Sequence, residues 1–230
     1  MKLDVIFEDN HLIAINKPAG VLVQGDETGD KPLSEWVKEY IKVRYDKPGD
    51  VYLGTCHRID RPVSGAVIFA RTSKALERMN KLFAEREIDK TYWAVVNERP
   101  DPLSATLIDY LYKDHERNVT KAIDAPSRRH PDAKKAELTY ELIGSFGNQH
   151  VLVVHPETGR SHQIRAQLAR IGCPIRGDIK YGAVAPNKNQ SIHLHCHSMS
   201  FIHPTLKTPV TVKADAPDDP LWRMFEKLLS

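Results

Sequence analysis

The chain has 230 residues, 41% hydrophobic and 27% charged, with a formal net charge of +3. That length suits one large domain or two small ones, and the balance is ordinary for a soluble globular protein. No apolar run is long enough to span a membrane, no fixed-period repeat points to a solenoid or propeller, and the mildly basic charge permits a nucleic-acid partner without demonstrating one.

The N-terminus lacks a signal-peptide pattern and reads as a strand from Leu3. Cys56, Cys173 and Cys196 have no zinc-like spacing and fit buried thiols in a reducing cytosol. Leu3 to Phe7 and Leu12 to Ile15 are short apolar runs separated by Glu8-Asp9-Asn10, a hairpin signal. Lys17-Pro18-Ala19-Gly20 follows as a turn. Leu33, Trp36, Val37, Tyr40 and Ile41 recur at helical spacing, with Ser34 or Asp30 near the start.

His57-Arg58-Ile59-Asp60-Arg61-Pro62-Val63-Ser64-Gly65 sets one carboxylate between guanidiniums. Pro62 biases Arg61 towards an extended backbone, and Gly65 opens an apolar run to Ala70 that reads as a buried strand. Asp60 is thus expected on a fixed loop before a core strand. Neighbouring positive charge favours its ionised form. That suits a nucleophile or base, and equally an Arg-Asp-Arg structural ion pair on a turn.

Thr72 or Ser73 can cap the next helix, whose stripe is Leu76, Met79, Leu82 and Phe83. Lys90 to Val96 is rich in strand formers and places Lys90, Tyr92 and Ala94 on one face. Leu103 to Leu111 and Lys135 to Ile143 read as further strands. Between them, Lys113 to Lys134 is polar and carries Arg117, Lys121, Arg128, Arg129, His130 and Lys134. It reads either as a solvated, partly mobile loop or as an arm that neutralises RNA phosphates.

His150 to His155 reads as a strand and Arg160 to Ile171 as a helix. Ile164, Leu168 and Ile171 form its expected buried stripe, Arg160, Gln163, Gln167 and Arg170 lie opposite, and His162, Arg165 and Ala169 follow the border. His193, His195 and His197 would share one strand face. A straight strand spreads them over about 13 Å, too far for one metal to take all three easily. Thr208 to Lys213 reads as the last strand and Pro217 to Leu229 as a closing amphipathic helix. Strands predominate, giving an α+β class.

The motifs together resemble those of the RluA-type pseudouridine synthases. The stretch from His57 to Gly65 is similar to the family signature HRLDRxTSG, with Ile59 for Leu and Val63 for Thr. Lys17 to Gly20 matches KPxG. Lys90-x-Tyr92-x-Ala94, followed by Val96, resembles the second motif, and Gly159-Arg160-Ser161-His162-Gln163-Ile164-Arg165 is a complete GRxHQIR. Leu194-His195, with Phe201-x-His203-Pro204 beyond, resembles the last motif. One departure is Gln167, where the family usually has His. The resemblance runs from about Leu3 to Val212.

The resemblance implies one catalytic domain over residues 1–230, built on a mixed, largely antiparallel sheet with a central cleft, without the N-terminal S4-type domain of some relatives. The implied reaction isomerises a flipped-out uridine in ribosomal or transfer RNA. The bond between ribose C1′ and uracil N1 breaks, and C1′ is rejoined to C5. No cofactor or metal is implied. Asp60 would be the catalytic carboxylate, Arg165 its partner, and Tyr92 the ring that stacks on uracil. Leu194 and Ile164 would wall the pocket, and Arg58 would enter the space left by the base. Arg61, His57, Lys17, Arg160 and His162 are expected at the substrate site. The expected setting is a cytoplasmic monomer that needs no protein partner.

Three rival readings belong to other classes. A glycoside hydrolase would need a second placed carboxylate. A non-catalytic RNA-binding module would not need Asp60, and a zinc hydrolase would need the histidines.

Overall fold

The two leading apolar runs do form a hairpin. The structure, a computed structural model, describes residues 2–229. Its strands are β1 (Val5–Glu8), β2 (Leu12–Lys17), β3 (Gly54–Thr55), β4 (Ser64–Ala70), β5 (Asp89–Val96), β6 (Ser104–Asp114), β7 (Val119–Ile123), β8 (Lys134–Phe146), β9 (Gln149–Pro156), β10 (Leu194–Ile202) and β11 (Pro209–Lys213). Its helices are α1 (Leu33–Arg44), α2 (Ser73–Glu85), α3 (Gln163–Arg170) and α4 (Pro220–Leu229). None of these is long and apolar enough to cross a membrane. The class is α+β. The chain forms two units, one from the residues up to Asp89 with Cys196–Pro217, the other from Lys90–His195 with the residues from Asp218 on.

In the first unit β1 pairs with β2, β2 with β4, β4 neighbours β10, and β11 pairs with β10. Leu12 to Ile15 and all of β4 are buried, as continuous apolar strands covered on both faces must be. The β2–β4 register runs antiparallel from Leu12↔Ala70 to Lys17↔Gly65. This sets the turn that follows Lys17 beside the loop that precedes Ser64. Gly65 has φ +119°, and a Cβ there would lie 2.3–2.7 Å from the main chain of Cys196. Only glycine allows both that backbone and that approach. Thr72 is the residue that caps α2, its side chain accepting from Ala75 N–H at 3.1 Å. Such a cap is worth about 1 kcal/mol.

The second unit holds an antiparallel meander in the order β5-β9-β8-β6-β7. Here the structure corrects the polar segment at 113–134. Val119–Ile123 is a strand, paired with β6 from Tyr110↔Ile123 to Asp114↔Val119. It is a short edge strand that carries Lys121 and lies between charged neighbours, which hides it from a hydrophobicity pattern. The helix at 160–171 is also corrected. It starts at Gln163, because His162 sits in the left-handed region at φ 52°. Its expected polar face holds at Arg160 and Arg170, which are exposed, but not at Gln163 and Gln167, because Gln163 to Leu168 are all buried, while Ile171 is 37% exposed. Gln163 and Gln167 are buried because each has partners. Gln163 bonds Thr158 Oγ1 and Glu137 O, and Gln167 bonds Leu107 O and Asp109. In α4, Trp222 and Phe225 are buried and Leu228 is exposed.

Candidate active site

Asp60 lies in the first unit on the loop just before β4. The loop is held mainly through its backbone. The carbonyl of Arg61 accepts from Gly20 N–H at 2.7 Å and from Lys17 Nζ at 3.3 Å, and Arg61 Nε donates to Gly20 O at 2.9 Å. Lys17 Nζ also donates to Pro18 O at 3.0 Å and Val21 O at 2.8 Å. An ammonium has three donors and no acceptor, so these three carbonyls match it fully. The Asp60 carbonyl accepts from Val63 N–H at 3.0 Å, which closes a turn around Pro62.

Lys17 is fully buried. Burial pushes its pKa down from 10.5 to about 7, with Asp60 pulling it up and Arg61 pushing it down. Arg61 projects outward, with its guanidinium 2.7 Å from Asp30 in an exposed pair. Arg58 is exposed. His57 is half-buried. Its Nε2 accepts from Ile68 N–H at 3.0 Å, and its ring lies 5.0 Å from that of Phe83.

In the second unit Arg165 is buried on α3 and makes a two-pronged pair with Asp178. Nε lies 2.6 Å from Oδ2 and Nη2 2.9 Å from Oδ1, and the side chains are 5% and 2% exposed. The guanidinium also sits 4.8 Å from the centroid of the Tyr181 ring. The Tyr181 hydroxyl accepts from Thr120 N–H at 2.7 Å and meets His162 Nδ1 at 2.8 Å. Arg160 is exposed, donating from Nε to Lys135 O at 3.2 Å.

Tyr92 is half-buried on β5, opposite Val154 of β9. Ile164 and Leu194 are buried, at 6% and 3% exposure. His193 is buried too. Asn187 Nδ2 lies 3.0 Å from its Nδ1 and Asp219 is 3.4 Å from its Nε2, while burial holds its pKa below the usual histidine value. His195 lies against Trp93 and Trp222, with ring centroids at 6.1 and 6.0 Å. Among the described residues no group of three or more His, Cys, Asp or Glu side chains is arranged to hold a metal.

Asp178 and Tyr181 are the residues that reading the sequence overlooked. In the sequence, Gly172 to Asp178 and Tyr181-Gly182 continue the family pattern as a turn-rich connection, which gives neither residue a role. The stretch also holds Arg176 and Lys180, so nothing local marks Asp178 as the partner of a residue on α3.

Comparison with known proteins bears on both units. The RNA pseudouridylate synthase family model matches residues 11–170. A tRNA pseudouridine synthase C from Vibrio vulnificus is 30% identical, over 98% of this chain and 95% of its own length. The mitochondrial pseudouridylate synthase RPUSD4 of Xenopus tropicalis is 27% identical, over 94% of this chain and 78% of its own. Among solved structures, Human RNA Pseudouridylate Synthase Domain Containing 4 shares the fold with a TM-score of 0.79 at 22% identity, covering 96% of this chain and 92% of that one. The chain belongs to the RluA-type RNA pseudouridine synthases and is an isomerase acting on RNA.

Proposed function

We propose that the protein isomerises a specific uridine to pseudouridine in transfer or ribosomal RNA. Relatives whose names specify transfer RNA favour the first substrate. The target base is flipped out of its stack, most cheaply from a loop. Asp60 acts at the sugar as nucleophile or base while the C1′–N1 bond breaks. The detached uracil turns while Tyr92 stacks on it, C1′ joins C5, the C5 proton leaves to solvent, and N1 takes up a proton in its place. Atoms and electrons balance with no oxidant or cofactor. Arg165 supplies fixed positive charge for the carboxylate, Ile164 and Leu194 give the base apolar walls, and Arg58 fills the space the base vacates.

The observation that carries this reading is the setting of Asp60. It is a half-buried carboxylate on a loop stapled to the Lys17–Val21 turn by a buried ammonium and a reciprocal pair of hydrogen bonds. A catalytic group must be held in place before the reaction begins. Phosphate contacts fall to exposed cations on the β6–β7 hairpin and the segment after it, including Arg117, Arg128 and Arg129. The protein works in the cytoplasm as a monomer, which light scattering of the purified chain tests; a stable dimer removes that part of the reading.

The main test is pseudouridine mapping of total RNA from cells that carry the wild-type protein, Asp60→Asn or no copy. A uridine converted only with the wild type, and an activity loss of about 10³-fold or more for Asp60→Asn with RNA binding retained, is the expected result. Near wild-type turnover by Asp60→Asn refutes the mechanism. RNA binding with no isomerisation by the wild type favours a non-catalytic binder.

A further inference from the structure

The geometry points to Asp178 and Tyr181 as positioning residues of the isomerase, a clamp that fixes the Arg165 guanidinium in one orientation. The inference rests on the role proposed above for Arg165 and adds what makes that role possible.

An arginine side chain has many rotamers, and the usefulness of its charge depends on where the planar head points. Here two independent contacts remove that freedom. The Asp178 carboxylate takes Nε and Nη2 together, at 2.6 and 2.9 Å, which defines the plane of the guanidinium. The Tyr181 ring lies against it at 4.8 Å.

The clamp is itself anchored. Asp178 N–H donates to Ile175 O at 2.9 Å, and Tyr181 N–H donates to Asp178 O at 3.0 Å, so both residues belong to one tight turn. The Tyr181 hydroxyl ties that turn to Thr120 of β7 and to His162 at the start of α3. The ring also packs on the cluster of Leu111, Ala136 and Ala166. A buried Arg–Asp pair is poor evidence of added stability, because desolvation offsets most of the attraction. Its value here is the orientation of the guanidinium.

The test uses the full chain and total transfer RNA labelled with tritium at uracil C5, taken from cells lacking the protein, with tritium release as the readout. Arg165→Lys and Asp178→Asn are each expected to lower kcat about tenfold or more, with KM within about twofold. The double variant is expected to be no slower than the slower single one, because Asp178 acts only through Arg165. Tyr181→Phe, which keeps the ring, should retain more kcat than Tyr181→Leu. If Asp178→Asn does not fold, Asp178→Glu replaces it, and partial recovery of kcat with the restored carboxylate is expected.

Wild-type kcat in a folded Asp178→Asn, or losses that multiply in the double variant, overturns the clamp while leaving Arg165 its role. A folded Asp178→Glu with no recovery overturns it as well. A fully active Arg165→Lys removes the Arg165 reading and the clamp with it.

Discussion

The loop bearing Asp60 and the helix bearing Arg165 are held in different ways. At Asp60 the anchors are largely main-chain groups. The carbonyls of Pro18, Val21 and Arg61 are gathered around one ammonium, and the Arg61 carbonyl also accepts from Gly20 N–H. At Arg165 they are side chains, a carboxylate and a phenol ring. Main-chain anchors are indifferent to most substitutions in the loop itself, because every residue carries the same N–H and C=O. Side-chain anchors depend on residue identity. The first region should therefore fail mainly at Lys17 and at glycine positions, and the second at any member of the clamp.

The largest effect expected on the helix side comes from Asp178→Ala. It leaves the Arg165 charge buried without its carboxylate and should cost about 3–5 kcal/mol in denaturant unfolding. A loss below about 1 kcal/mol would mean that water or another acid takes over, and the contrast between the regions would weaken. On the loop side, Gly65→Ala forces a Cβ into the Cys196 main chain at a φ that L-residues avoid. A loss of about 3 kcal/mol is expected. A variant that melts with the wild type would show that β4 can shift cheaply.

Lys17 offers a pH test. Its folded pKa of about 7 lies below the ordinary 10.5. Between those values the unfolded chain holds the proton that the folded chain has released. Stability therefore rises with pH across that window, by up to about 1.4 kcal/mol per unit, and is flat outside it. Urea unfolding of wild type and Lys17→Met at pH 7 and pH 9 isolates this slope. Equal slopes for the two proteins would show that the ammonium keeps its proton throughout.

The smallest effect should come from Asp30→Ala. It removes an exposed partner of Arg61 but none of the hydrogen bonds to the Arg61 carbonyl. A change within about 0.5 kcal/mol is expected by calorimetry. A larger loss would show that side chains hold this loop after all.

Local pattern alone makes much of this fold legible. The β2 and β4 runs are apolar throughout because both faces are covered. Thr72 announces α2 because a hydroxyl just before a helical stripe satisfies an otherwise orphan N–H. The strand at β7 stayed hidden because its stability comes from pairing with β6, not from its own hydrophobicity. The expected polar face of α3 fails at two of its four residues for a related reason. Gln163 and Gln167 look solvent-facing by residue type, yet both are buried among acceptors and donors supplied by β6, β8 and the Thr158 loop.

By itself the sequence determined the α+β class, most of the strands and helices, and the family with its candidate residues, because these follow from hydrophobic period, turn chemistry and contiguous motifs. Only the tertiary structure decided what those residues touch. Lys17 reads as a turn lysine until Pro18, Val21 and Arg61 turn their carbonyls onto it. Arg165 reads as a border residue until Asp178, thirteen positions on, closes around it. Buried charge must find its partner wherever the fold brings one, and that distance along the chain carries no local signal.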